Sequence, residues 1–166
     1  CELAHMLRRH NELQPVCLIA SGARAPQFRL GHVPPPEPSE EEFLAELRMR
    51  EGTPREVLDN QELLRFVLPA LKADAALYRN YVYVPVPPLD CAVIAYGGTE
   101  DPNVSEVQVD AWRETTTGPF VRRMLPGGHF FLHAPAFAKT LADDIHGAIA
   151  GSPTGEPSGS IAGSEK

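Results

Sequence analysis

The chain has 166 residues with a formal net charge of -7, of which 43% are hydrophobic and 22% charged. This is the balance of one soluble globular domain; it excludes fibrous and low-complexity architectures, and the acidic charge speaks against nucleic acid or an anionic membrane surface as partner. No apolar run approaches the roughly 18 residues needed to span a bilayer, and no basic segment followed by an apolar core reads as a signal peptide, so the cytoplasm is the expected location.

The chain opens on "CELAHMLRRH", which reads as a helix already under way, because no Ser, Thr or Asp precedes it as a cap. The start is therefore expected to be a cut in a longer parent. "PVCLIASG" (15 to 22) is a short apolar run with the profile of a strand buried on both faces. From "GHVPPPEPS" to about Tyr83 the pattern turns helical. Ser39-Glu40-Glu41-Glu42 and Thr53-Pro54-Arg55-Glu56 both fit the capping box, the second with proline at the first helical position. "NQELLRFVLPALKADAALYRNY" carries helical periodicity but contains Pro69, which predicts a kink or a restart. Connections in parallel α/β units are normally short, so a helical insertion over about 37–83 is expected to act as a lid.

The second strand is "CAVIAYGG" (91 to 98) and the third, more polar, is "FVRRML" (120 to 125), entered through Gly118-Pro119 and left through Pro126-Gly127-Gly128. "SEVQVDAWRETT" (105 to 116) predicts a helix capped by Ser105, and "APAFAKTLADDIHGAIAG" (134 to 151) predicts another, with Phe137, Leu141, Ile145 and Ile149 at four-residue spacing. Alternation of strands and helices implies a parallel sheet with flanking helices over residues 1–150. The Gly-, Ser- and Pro-rich tail 151–166 has one isolated apolar residue, Ile161, and is expected to be disordered.

Two polar residues stand where doubly wound sheets place functional groups, past the carboxyl ends of the strands. Asp101 follows a Gly-Gly turn in "AYGGTEDPNVS", and His129 follows another in "MLPGGHFFLHAP". Adjacent parallel strands lie about 4.8 Å apart, so the two groups can come within hydrogen-bond reach. An aspartate there would hold the imidazole in one tautomer and leave its other nitrogen to take a proton from a nucleophile. The competing reading makes Asp101 a turn residue and His129 a loop cap. Three cysteines without a CxxC pair give neither a disulfide framework nor a zinc pattern, and Cys17 and Cys91 read as small buried hydrophobes. His129-x-x-x-His133 has ligand-like spacing, but the two intervening phenylalanines and the single nearby carboxylate argue against a metal. No cofactor is expected.

"GGTEDPNVSEVQVDAWRETTTGPFVRRMLPGGHFFL", with "PPLDCAVIAYGG", "LPALKADAALYRNYVY" and "SGARAP" upstream, resembles the type II thioesterases that serve polyketide and nonribosomal peptide synthases, in the α/β-hydrolase superfamily. The likeness runs from Cys1 to about residue 149. It implies the C-terminal part of an α/β-hydrolase fold with a helical lid, and it makes the aspartate of "GGTEDP" and the histidine of "GGHFFL", here Asp101 and His129, members of a catalytic triad. It implies hydrolysis of acyl thioesters from phosphopantetheine, with an acyl or peptidyl carrier protein as partner. One departure stands out: no G-x-S-x-G elbow occurs, and Ser21 in "IASGARA" lacks the leading glycine and follows the wrong strand. The resemblance thus places the nucleophile and its oxyanion amide before residue 1, in something on the order of 90 residues. A non-enzymatic carrier-binding remnant and another esterase are the alternatives. Arg8-Arg9-His10 and Arg122-Arg123 are candidate carrier contacts, or else ordinary solvated charges; consecutive on a strand, Arg122 and Arg123 cannot both face solvent.

Overall fold

A computed structural model describes residues 1–49 and 52–151. They divide into two compact units, one built from residues 1–25 and 87 onward, the other from residues 26–86.

The first unit is a three-stranded parallel sheet in the order β1 (Cys17–Ser21), β2 (Ala92–Gly98), β3 (Phe120–Leu125). Paired on both sides, β2 is buried along its whole length, as expected of a central parallel strand. β1 departs from the expectation of burial on both faces. Among the described residues it is one of the two outer strands, Cys17 and Leu18 are half-buried and Ile19 is exposed. The expected reading of Cys17 as buried is corrected accordingly, while Cys91 is buried beside Ala4 and Leu89.

Helix α1 (Glu2–Arg9) forms without a side-chain cap, and the Arg8 guanidinium donates to the carbonyls of Pro87 and Pro88, each at 2.6 Å. Arg8 is thereby a strut that fixes the approach to β2. Helix α5 (Glu106–Asp110) starts on Ser105 with a complete capping box, Ser105 Oγ accepting from the Gln108 N–H and Gln108 Oε1 accepting from the Ser105 N–H. The expected single helix to residue 116 is shorter: at Ala111 the backbone tightens into a 3₁₀ turn, Ala111–Thr115. The Thr115 hydroxyl donates to the Trp112 carbonyl at 2.7 Å, a local bond that competes with continued α-helix. Val109, Trp112, Val93, Ala95, Val104 and Ala20 make the core on this face.

On the other face, α6 (Pro135–Ile149) packs Phe137 and Leu141 onto Ile94, Tyr96, Val121 and Phe131. The spacing rule fails at the end of this helix, where Ile149 is exposed and Asp144 is buried instead. Asp144 accepts from Arg123 at 2.6 and 3.0 Å and from the Tyr96 hydroxyl at 2.6 Å. Burial pushes its pKa up, yet the hydrogen bonds from Arg123 and Tyr96 and the guanidinium charge outweigh that and hold it below the usual carboxylate value. The same burial, with the carboxylate beside it, drives the Tyr96 phenol well above its ordinary value. The two consecutive arginines of β3 thus serve opposite faces: Arg122 pairs with Glu106 at 2.8 Å and Asp110 at 3.5 Å on α5, and Arg123 with Asp144 on α6.

Among its described residues, the second unit, 26–86, is built mainly of helices, and Leu30 and Tyr83 form a parallel bridge in it. It contains α2 (Glu40–Met49), α3 (Arg55–Asp59) and α4 (Gln61–Asn80). The Ser39 capping box forms: the Ser39 N–H donates to Glu42 at 2.7 Å and its Oγ accepts from the Glu42 N–H at 3.2 Å. The Thr53 box does not. Pro54, extended at φ -55, ψ 139, is itself the cap residue of α3, and no side chain caps that helix. Asn60 caps α4 by accepting from the N–H groups of Glu62 and Leu63. Of the kink or restart expected at Pro69, the restart does not occur: α4 runs through Pro69 as one helix. Pro69 and Arg65, one turn earlier, are exposed, so water can serve the carbonyl that proline leaves without its donor. The expected disordered tail, from residue 152, lies outside the described residues.

Asp144→Asn removes the buried carboxylate that accepts two bonds from Arg123 and is expected to cost about 3 kcal/mol near neutral pH by urea denaturation. Because the native pKa of Asp144 lies below the unfolded value, the ion pair contributes fully above about pH 4 and its contribution is lost as pH falls through the lower native pKa. The gap between wild type and Asp144→Asn should therefore close in acid and stay constant from pH 5 to 8.

Candidate active site

The carboxyl end of the sheet is joined by backbone bonds between the loops that leave β2 and β3. The Thr99 N–H donates to the Leu125 carbonyl at 2.8 Å and the Glu100 N–H to the Gly127 carbonyl at 2.9 Å. This crossing is possible because Gly98 has no side chain: a Cβ there would overlap the carbonyl oxygens of Gly127 and Gly128. The loop after β3 therefore lies directly on the end of β2, which brings His129 over the turn that carries Asp101.

Asp101 forms an Asx-turn. Its Oδ1 accepts from the N–H groups of Asn103 at 2.8 Å and Val104 at 3.2 Å. That fixes the plane of the carboxylate and leaves Oδ2 aimed at His129 Nδ1, 2.7 Å away. The Asp101 side chain is 0% exposed and the His129 side chain 35%. A carboxylate only accepts, so the bond favours the proton on Nδ1, which in the neutral ring leaves the lone pair on Nε2. Asp101 thus makes the turn with one carboxylate oxygen and bonds the His129 ring with the other.

Two further residues bound the imidazole. Gly22, at φ +58 just past β1, donates its N–H to the Tyr96 carbonyl at 3.0 Å, and a Cβ at this position would lie 3.4 Å from His129 Cε1. Phe130 meets the ring edge-on, with centroids 5.4 Å apart. The segment after Gly22 is pinned by the Trp112 indole N–H donating to the Ala23 carbonyl at 2.8 Å and by the Ala25 N–H donating to the Gln108 carbonyl at 3.1 Å. Gly22, Gly98 and the two amides of the Asx-turn were not singled out from sequence; "SGARAP" and the paired glycines of "AYGG" were the available signals. Ser21 ends β1 on the exposed side. Among the described residues no group of three or more His, Cys, Asp or Glu side chains is arranged to hold a metal, and no helix is long and apolar enough to cross a membrane.

The three-stranded parallel sheet with helices on both faces, Asp101 beyond its middle strand and His129 beyond the neighbouring one, is part of an α/β-hydrolase fold. The match to a thioesterase domain model over residues 1–149 makes the assignment specific, and the chain belongs to that family. It is 38% identical over 136 residues to the gramicidin S biosynthesis protein GrsT of Aneurinibacillus migulanus, covering 80% of this chain and 52% of that one. It is 39% identical over 135 residues to the thioesterase PikA5 of Streptomyces venezuelae, covering 80% and 47%. Among solved structures, the thioesterase RedJ from the prodiginine biosynthetic pathway in Streptomyces coelicolor superimposes with a TM-score of 0.72 at 33% identity, over 89% of this chain and 57% of that one. The chain thus spans about half the length of the relatives it matches.

Gly98→Ala and Gly22→Ala test the site by different routes. At Gly98 the clash is with rigid backbone, so the His129 loop must lift; a loss of about 2 kcal/mol is expected. At Gly22 the contact is near van der Waals distance and the cost is the left-handed backbone, about 1 kcal/mol. Urea denaturation of the two variants should rank Gly98→Ala as the more damaging.

Proposed function

We propose that the full protein hydrolyses acyl thioesters carried on the phosphopantetheine arm of acyl or peptidyl carrier proteins, as an editing thioesterase of polyketide or nonribosomal peptide synthesis. The observation that carries this reading is the 2.7 Å bond from His129 Nδ1–H to the buried carboxylate of Asp101, in a chain of the thioesterase family. In this reading Asp101 fixes the tautomer and stabilises the imidazolium. His129 Nε2 takes the proton of a serine hydroxyl as that oxygen attacks the thioester carbon, forming an acyl-enzyme with departure of the thiol. Nε2 then passes that proton to the departing sulfur and, neutral again, takes a proton from water as the water oxygen attacks the acyl-enzyme carbonyl; returning this proton to the serine oxygen breaks the acyl-enzyme bond and releases the acid. A thioester suits this machinery, because its thiol has a pKa of about 8.5 and leaves as thiolate with little help from an acid.

The serine is the part these residues do not supply. No G-x-S-x-G occurs in the 166 residues, and in α/β-hydrolases the nucleophile precedes the acid in chain order. Our reading assigns it to sequence outside residues 1–166, which fits a chain half the length of its relatives.

In the full chain as encoded, His129→Ala and Asp101→Asn should each lower kcat for release of an acyl group from a carrier protein by about three orders of magnitude, with a much smaller effect on KM. Unchanged kcat in either variant would contradict the proposal. Residues 1–166 alone, treated with a fluorophosphonate and analysed by mass spectrometry, should carry no labelled serine; a stoichiometric adduct on Ser21 would overturn the assignment of the nucleophile.

A further inference from the structure

The ionic group formed by Asp144, Arg123 and Tyr96 lies on the α6 face of the sheet and takes no part in the chemistry above. Its place in the chain is informative. Arg123 is on β3, six residues before His129, and Asp144 is on α6, fifteen residues after it. Tyr96 is on β2, five residues before Asp101. One side chain, Asp144, therefore gathers the strand that leads to the acid, the strand that leads to the base and the helix that follows the base, through bonds of 2.6, 2.6 and 3.0 Å. Its carboxylate is 2% exposed.

A second set of contacts joins this group to the histidine loop. Phe131, two residues past His129, is buried and meets Phe137 edge-on at 5.8 Å, and Phe137 meets the Tyr96 ring edge-on at 5.4 Å. The loop that carries His129 is thus tied to one group at both ends and in its middle. A buried ion pair is a poor way to gain stability, since apolar residues of similar volume usually do as well, and its best attested use is to enforce one arrangement over others. The arrangement enforced here is the register of α6 and its preceding loop on the ends of β2 and β3.

We infer that Asp144, with Arg123 and Tyr96, is a positioning residue for the base: it holds the loop 126–134 so that His129 Nδ1 meets Asp101 Oδ2, acting through the sheet and the Phe131–Phe137–Tyr96 contacts. This rests on the proposed role of His129.

The test separates positioning from stability in the full chain as encoded. The double variant Arg123→Met with Asp144→Leu removes both charges while keeping volume, and should melt close to wild type. Its kcat for thioester hydrolysis should fall by about tenfold to a hundredfold while KM stays within about twofold, because substrate binding is untouched and only the alignment of the base is lost. A folded double variant with wild-type kcat would overturn the inference. Should the double variant not fold, Tyr96→Phe decides, since it keeps the ion pair and removes one bond to Asp144. A fall in kcat at constant KM supports positioning, and wild-type kcat overturns it. His129→Ala distinguishes the two levels: full activity in that variant removes the proposed function and this inference with it, whereas an inactive His129→Ala beside a fully active double variant removes this inference alone.

Discussion

A carboxylate withdrawn from water has to be satisfied by its surroundings, and Asp101 shows how much of a structure that requirement can organise. One oxygen is met by the two backbone amides of its own turn, the other by the His129 ring. The second bond requires the loop after β3 to cross the end of β2, and that crossing depends on the absence of a side chain at Gly98. The histidine is consequently aimed from below by the acid and bounded at the side by Gly22, while its ring remains partly open to solvent. The orientation of the ring is thereby set by the fold itself, which is the preorganisation that the proposed role of His129 as base requires.

The rest of the sheet unit supplies stiffness. β3 sends one arginine to each helical layer, Arg122 to α5 and Arg123 to α6, so that a single polar strand holds both layers against the apolar β2. The pair on the α5 side is partly exposed and contributes modestly, while that on the α6 side is buried at the carboxylate and specifies position more than it stabilises. Trp112 plays the matching part on the α5 face, where its indole N–H reaches across to the segment after β1.

Much of this was legible in the sequence. The three strands were marked by apolar runs between glycine and proline, and Asp101 and His129 by the paired glycines ahead of them; turn chemistry of this kind is local and survives into the fold. The Ser39 and Ser105 caps are local for the same reason. What was not legible depended on neighbours. The four-residue apolar spacing of α6 pointed to Ile149 and away from Asp144, because no periodicity reveals a buried charge whose partners come from two other elements. Pro69 does not restart α4, because the carbonyl it leaves without a donor lies where water can reach it. At Thr53 the motif was present, yet the extended Pro54 took the cap position itself. The apolar residues of β1 predict burial on both faces, but exposure is set by what lies beside a strand.

The central claim is that Asp101 fixes His129 with its proton on Nδ1 and its lone pair on Nε2. The ¹⁵N chemical shifts of the His129 ring nitrogens, measured on the full chain as encoded at a pH where the imidazole is neutral, report that tautomer directly. The account predicts a protonated Nδ1 and an unprotonated Nε2 in wild type, with the preference lost in Asp101→Ala. A wild-type ring protonated on Nε2, or one whose shifts do not respond to loss of the Asp101 carboxylate, would contradict it.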